Sequence, residues 1–252
     1  ADRPKLTDKV EFFTAAAPPP ESVLSDMQTS GFNVTHLYGL SETYGPAVVN
    51  EWHQEWDSLD LAQQVSLKAR QGVRYLPLEA LDVMDPDTMQ SVPHDGETIG
   101  EVMFKGNVVM KGYYKDTDAT LAAMRDGWFY SGDAAVWHKN GYVQIKDRLK
   151  DVIISGGENI SSVEVEGYLY RHPDVVAAAV VAKPDELRGE IVKAHIVLAE
   201  GYEPNDALKV LIQDYVKETT APYKYPREII FRESLPKTIS GKIRRVELRE
   251  ES

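Results

Sequence analysis

Arg148-Leu149-Lys150-Asp151 is the stretch at which the texture of this chain changes. Beyond it, helix and strand patterns alternate. A helix is expected over about 162–171, and residues 175–182 follow as an uninterrupted apolar run, which reads as a buried strand. A second strand over about 193–198 leads to a helix that starts near Asn205. Residues 221–225, with Pro222, end that helix, and residues 228–231 form another strand. Two αβ repeats of unequal shape result, which fits a small α+β domain of about 100 residues. On the near side, residues 73–147 are cut by turn signals: Asp85-Pro86-Asp87, His94-Asp95-Gly96, Lys105-Gly106-Asn107, Asp126-Gly127 and Lys139-Asn140-Gly141. Short strands between such turns predict a small antiparallel sheet or barrel, with residues 142–146 as one clear strand. The opening reads as α/β. An apolar segment over 10–17 is closed by Pro18-Pro19-Pro20, a helix over 21–30 is ended by Gly31, and a strand over 33–38 turns at Gly39. Residues 58–72 are polar and permit a helix without demanding one.

Composition narrows the function classes. The 252 residues are 42% hydrophobic and 27% charged, ordinary proportions for a globular core. A formal net charge of −12 argues against a general nucleic-acid binder, which presents a basic face. The absence of cysteine excludes disulfides, thiolate-bound zinc and a cysteine nucleophile, and fits a cytoplasmic protein. The longest apolar run falls far short of the roughly 20 residues that span a bilayer. The first residues carry neither a signal-peptide pattern nor an initiator methionine, so the chain is expected to begin inside a longer protein.

Two familiar motifs fail on inspection. Gly39-Leu40-Ser41-Glu42-Thr43 has threonine where a serine-hydrolase elbow needs glycine. Ser240-Gly241-Lys242-Ile243 has Pro236 where a P-loop needs its first glycine, and no Ser or Thr after the lysine. The six histidines show no zinc-ligand spacing.

Four segments remain. They are Tyr38-Gly39-Leu40-Ser41-Glu42-Thr43-Tyr44-Gly45-Pro46; Gly127-Trp128-Phe129-Tyr130-Ser131-Gly132-Asp133; Asp147-Arg148-Leu149-Lys150-Asp151 running on to Ser155-Gly156-Gly157-Glu158-Asn159-Ile160; and Pro236-Lys237-Thr238-Ile239-Ser240-Gly241-Lys242-Ile243-Arg244-Arg245. Gly100-Glu101-Val102 and Gly112-Tyr113-Tyr114 add a match between the first two. Taken one at a time, each has a plain structural reading: a capped turn at Ser41-Glu42, a hairpin aspartate at Asp133, a surface arginine at Arg148, a glycine turn at Gly156-Gly157, and a solvated basic face around Lys242. In this order and spacing, however, they resemble the adenylate-forming superfamily of acyl-CoA synthetases, luciferases and peptide-synthetase adenylation domains, over essentially the whole chain. Ala15-Ala16-Ala17-Pro18 resembles the family segment that borders adenine and the acyl pocket, with alanines where glycines are common.

The resemblance implies an ATP-dependent, AMP-forming ligase that joins a carboxylic acid to coenzyme A. Tyr38 would stack on adenine, a contact of about 1–3 kcal/mol in comparable base–aromatic pairs. Gly39, Ala16 and Ala17 would line the nucleotide. Ser41 or Thr43 would bond a phosphate oxygen, and Glu42 would ligate Mg2+, which commonly takes one or two carboxylates plus substrate phosphates. Asp133 would accept both ribose hydroxyls, with Arg148 near ribose and phosphate. Lys150 would be the hinge on which a C-terminal lid turns. Gly156, Gly157 and Glu158 would line the coenzyme A tunnel, and Lys242 would be the catalytic lysine between carboxylate and α-phosphate.

Residues 1–148 are thus expected to be the end of a large N-terminal domain, with a partial α/β sheet and a small antiparallel barrel. Residues 149–252 are expected to be a complete α+β lid. The family's Ser/Thr/Gly-rich phosphate loop ending in Pro-Lys has no match here, so the chain on its own is expected to be inactive. Short- and medium-chain acyl-CoA ligases, plant acyl-activating enzymes and methylmercaptopropionate-CoA ligases are the most similar subfamilies. The expected partners are small molecules, with no nucleic acid and no membrane span, and a homo-oligomer is allowed. A peptide-synthetase adenylation domain and a non-catalytic nucleotide- or CoA-binding remnant are the alternatives.

Overall fold

The computed structural model describes residues 8–15, 21–239 and 241–251. The chain divides into two compact units, 1–145 and 146–252.

The first unit holds two sheets. β1 (Val10–Thr14), α1 (Glu21–Thr29) and β2 (Phe32–Leu40) form a βαβ crossover, so β1 and β2 run parallel. β3 (Gly45–Val49) turns back antiparallel on β2. After α2 (Leu61–Lys68), β4 (Val73–Arg74) completes the order β1-β2-β3-β4. Asp60 caps α2 by accepting the Gln63 amide at 2.8 Å, a start signal inside the polar stretch whose structure composition alone left open. Leu24 of α1, Val34 of β2 and Val65 of α2 pack into one small cluster.

The second sheet is antiparallel, as the turn spacing predicts. β5 (Ala80–Met84), β6 (Gly100–Lys105), α3 (Thr117–Ala123), β7 (Met124–Arg125), β8 (Trp128–Trp137) and β9 (Val143–Arg148) follow in the chain. The strand order is β5-β6-β8-β7, with β9 also on β8. Its core of Val102, Phe104, Phe129 and Val143 is continuous with Tyr38, Ala47 and Val48 of the first sheet. The two sheets therefore share one interior, and the ends of β2 and β8 are held by the same packing.

The chain passes through β9 into the second unit and makes a 3-10 turn at Leu149–Asp151. β10 (Ile153–Ser155), β11 (Glu158–Ile160), α4 (Ser162–Leu169), β12 (Val175–Asp185), β13 (Gly189–Leu198), α5 (Asp206–Thr219), β14 (Glu228–Phe231) and α6 (Arg245–Glu250) follow. The sheet runs β11-β10-β13-β12, with β14 parallel to β13. Ala178 and Val180 of β12 face α4 and α5, while Ala179 and Val181 pack with Leu235 and with Leu248 of α6. Both faces of β12 are covered, which is why its sequence is an unbroken apolar run and not an alternating one. Asn205 caps α5 by accepting the Leu208 amide at 2.8 Å, and the helix stops at Thr219, ahead of Pro222.

Candidate active site

In the first unit, β2 delivers Tyr38 and Gly39 to a sharp reversal. The 3-10 turn Ser41–Thr43 is followed by Tyr44 at φ 56° and Gly45 at φ 131°. Gly39 is required by contact: a Cβ there would sit 2.1 Å from the Gly45 carbonyl oxygen. The Thr43 hydroxyl accepts the Leu40 amide at 3.0 Å and lies 2.9 Å from the Gly45 carbonyl, and Thr43 is buried. Of the two hydroxyls proposed for phosphate, Thr43 thus closes the turn, while Ser41 is exposed. Leu40, not Ser41, is the residue that precedes the turn, and it contributes no side-chain cap bond.

Tyr38 and Asp133, 95 residues apart in sequence, are brought together: the Tyr38 hydroxyl donates to Asp133 Oδ2. Both side chains are buried, with the Tyr38 ring tilted against Phe104 at 6.1 Å. Asp133 sits in a hydrogen-bonded corner of β8. The Ser131 hydroxyl donates to the Val102 carbonyl at 2.6 Å and accepts the Asp133 amide at 3.1 Å. The Gly132 amide donates to Glu101 Oε1 at 2.8 Å. Burial pushes the Glu101 carboxyl up, against the pull of that amide and of Arg125. Gly132 itself is at φ +72°, and a Cβ there would meet nothing within 4 Å. A side chain at Gly132 would therefore point into open space.

Glu42 is fixed from both ends. Its carbonyl accepts the Met110 amide at 2.7 Å, and its Oε1 accepts the Tyr113 hydroxyl at 2.9 Å. Burial first, then Glu42, raises the Tyr113 phenol above its usual range. Among the described residues no three His, Cys, Asp or Glu side chains gather as a metal cage. Glu42 offers one hard carboxylate oxygen, the donor type Mg2+ would take beside phosphates and water. Glu101 and Tyr113 are roles that sequence reading missed. Both lie in the segments quoted from 100–102 and 112–114, but nothing in a linear pattern says which side chain reaches across a sheet.

In the second unit, Arg148 ends β9 and is exposed. The neighbouring Asp147 is buried, accepting the Ser162 amide at 2.6 Å and the Arg148 amide at 2.8 Å. Lys150 is exposed in the 3-10 turn. Gly156 (φ 62°) and Gly157 (φ 87°) form the two-residue link between β10 and β11, with Glu158 opening β11. Two successive positive φ angles are the signature of a tight hairpin turn and exclude ordinary side chains. Lys242 is exposed on a narrow loop across which Thr238 N donates to the Lys242 carbonyl at 2.8 Å and Arg244 N to the Pro236 carbonyl at 2.9 Å. Ala16 and Ala17 lie outside the described residues.

These two sets define a class of protein. A family profile described as AMP-binding enzyme matches residues 2–114, and one described as AMP-binding enzyme C-terminal domain matches residues 164–242. The chain belongs to the AMP-binding enzymes, the adenylate-forming superfamily. It is 50% identical over 250 residues to probable acyl-activating enzyme 9 of Arabidopsis thaliana, covering 98% of this chain and 46% of that protein. It is 51% identical over 246 residues to the peroxisomal acetate/butyrate–CoA ligase AAE7 of the same plant, covering 97% of this chain and 43% of the relative. The o-succinylbenzoate CoA synthetase MenE of Bacillus subtilis, solved with its acyl-adenylate intermediate, superposes with a TM-score of 0.79 at 31% identity, over 94% of this chain and 45% of that one. The chain thus spans less than half the length of the curated relatives it matches.

Proposed function

We propose that this chain carries the ribose-, metal- and lysine-bearing part of an ATP-dependent, AMP-forming acyl-CoA ligase. The observation that carries the reading is the Tyr38–Asp133 hydrogen bond, which joins two separate family segments into one buried corner beside open space. Tyr38 presents its ring to adenine while its hydroxyl orients Asp133 toward the ribose hydroxyls. Ser41 donates to a phosphate oxygen. Glu42 would hold Mg2+, which when bound would supply neutralisation of phosphate charge.

In the first half-reaction a substrate carboxylate oxygen bonds the α-phosphorus, and the bond to pyrophosphate breaks. Lys242 spans carboxylate and α-phosphate, offsetting charge that grows in the transition state. In the second, the coenzyme A sulfur bonds the acyl carbon and AMP leaves, with Gly156, Gly157 and Glu158 lining the thiol's approach. Residues 1–148 act as the end of the nucleotide-binding domain and residues 149–252 as a lid that turns at Lys150, with Arg148 reaching ribose and phosphate. No described helix is long and apolar enough to cross a membrane. We place the enzyme in the cytoplasm, although two relatives are named as peroxisomal.

The test has two parts. Titration of the chain with AMP should show binding that Asp133→Ala abolishes. ATP–pyrophosphate exchange by the protein of the complete reading frame, over acetate, butyrate and aromatic acids, should show activation of at least one acid. Failure with every acid would overturn the ligase reading. Limited proteolysis should cut first at 148–151, and preferred cutting elsewhere would overturn the proposed boundary.

A further inference from the structure

We propose that Arg245 and Arg249 of α6 are positioning residues for Lys242, tying the lysine loop to the turn at Leu149–Asp151 so that the two move as one piece. The inference rests on the ligase reading for the role of Lys242, but its geometry lies entirely within the second unit. Lys242 and Arg245 are joined by a short, braced stretch. Arg244 N bonds the Pro236 carbonyl at 2.9 Å, Lys237 and Ile243 pair as a β-bridge, and the Lys242 amide donates to the Thr238 hydroxyl at 3.1 Å. The loop can swivel little against the helix that follows it.

That helix is gripped twice on one face, since Arg245 and Arg249 are four residues apart. Arg245 reaches the Glu166 carboxylate of α4, one guanidinium nitrogen lying 2.7 and 2.8 Å from its two oxygens. Glu166 is buried and also accepts the Val180 amide at 2.8 Å. Arg249 pairs with Asp151, itself buried in the 3-10 turn, and its guanidinium lies 3.4 Å from the Lys150 carbonyl.

Stability alone does not account for this arrangement. Leu248 is fully buried against Ala179, Val181 and Leu235, so α6 already has an apolar anchor. Buried ion pairs of this kind roughly break even against apolar replacements, because desolvation offsets their attraction. What they add is direction. With Leu248, the two guanidinium–carboxylate pairs hold the six-residue helix at three points, which fixes a rotation and tilt that one leucine could not fix. Any change of backbone angle at Lys150 then acts on Asp151, and through Arg249 on the loop that presents Lys242.

The experiment compares Arg249→Ala, Arg249→Lys and Arg245→Lys in the protein of the complete reading frame. It measures adenylate formation, thioester formation from supplied acyl adenylate, and melting temperature. A misplacement on the scale of an ångström costs up to about 100-fold in rate. The expected result is a fall of roughly 10- to 100-fold in kcat for adenylate formation with Arg249→Ala, at nearly unchanged KM for ATP. The thioester step should stay within about two-fold, with partial recovery in Arg249→Lys. Equal losses in both half-reactions, or full adenylate formation by Arg249→Ala, would overturn the assignment. Hydrogen exchange of the 252-residue chain supplies a readout independent of activity. The Thr238 and Lys242 amides should exchange faster in Arg249→Ala than in wild type. If the wild-type enzyme activates no acid, the ligase reading falls, and unchanged exchange in that loop would still refute the tether by itself.

Discussion

The Tyr38–Asp133 corner and the Lys242 loop solve opposite problems. The corner is built into a core that two sheets share, and its aspartate is oriented by bonds from a neighbouring strand and turn. The described residues of the loop are largely exposed and hold its shape by bonds across its neck, with a deep anchor, Leu248, one helix away. A group that must recognise a nucleotide gains from being set in advance, because no ordering is then needed at binding. On the proposed function, Lys242 serves one half-reaction and leaves for the other, and such a group gains from riding on a separate, braced arm. Preorganisation here is a property of each unit, reached by burial in one and by a local scaffold in the other.

The sharpest way to break the comparison is Lys242→Ala. It should lower adenylate formation by about 100- to 1000-fold, on the scale of losing one charge-stabilising group, while sparing thioester formation from supplied acyl adenylate. Gly157→Val should show the reverse bias, because Gly157 sits at φ +87° on the loop that we propose lines the path of coenzyme A. Separate assays of the two half-reactions decide it, and equal losses for Lys242→Ala would remove the functional contrast.

Next in size is a lever the units share. Each holds a histidine kept neutral inside: His36 in the first and His195 in the second, both with pKa about 4 against an ordinary value of 6.5, chiefly through burial. His195 Nδ1 accepts from Arg232 Nε at 2.7 Å, which also disfavours a ring charge. Above pH 6.5 both states are neutral and stability is full. As pH falls from 6.5 toward 4 only the unfolded chain takes up the proton, so each site should cost about 3 kcal/mol by the lower end. Urea midpoints between pH 7 and 4 should fall, and His36→Gln and His195→Gln should each flatten the profile. A level profile in the wild type would contradict the neutral burial of both rings.

Asp133→Ala should come next, at about 1–3 kcal/mol of unfolding free energy, because the buried Tyr38 hydroxyl loses its acceptor. Tyr38→Phe in the same background should recover part of that loss, and no recovery would mean that the two groups are not coupled. The smallest contrast lies within a single turn. Thr43→Val should cost about 1 kcal/mol by removing the bonds to Leu40 and Gly45. Ser41→Ala should leave thermal stability within about 0.5 kcal/mol while weakening ATP binding. The reverse pattern would exchange the roles of the two hydroxyls.

What the sequence disclosed depended on how local each signal was. Residues 175–182 were readable as a strand from composition, and Glu228–Phe231 from pattern, because burial on a sheet writes itself into consecutive residues. β12 runs on to Asp185 because pairing with β13 carries it past the apolar run. α3 and α6 went unread: each is a short helix whose place depends on what it packs against. For the site, the segments were visible, but not which of their side chains meet. Tyr113 on Glu42 is a contact between residues 71 apart, and Glu101 on Gly132 one between residues 31 apart. Only the sheet order brings them together. The ambiguity between Ser41 and Thr43 likewise needed the backbone, since either hydroxyl has the right chemistry.

The span of 95 residues between Tyr38 and Asp133 also bears on how the molecule comes to exist. Contacts so distant along the chain cannot form until the intervening strands have paired, and ring closure over that length carries an entropic cost of about 4 kcal/mol that grows only slowly with further insertion. The nucleotide corner should therefore be among the last parts of the first unit to mature during synthesis. A ribosome-bound chain ending between Leu40 and Trp128 would carry Tyr38 without Asp133, and on the proposed function competence to bind AMP should appear as a single late event once β8 has docked.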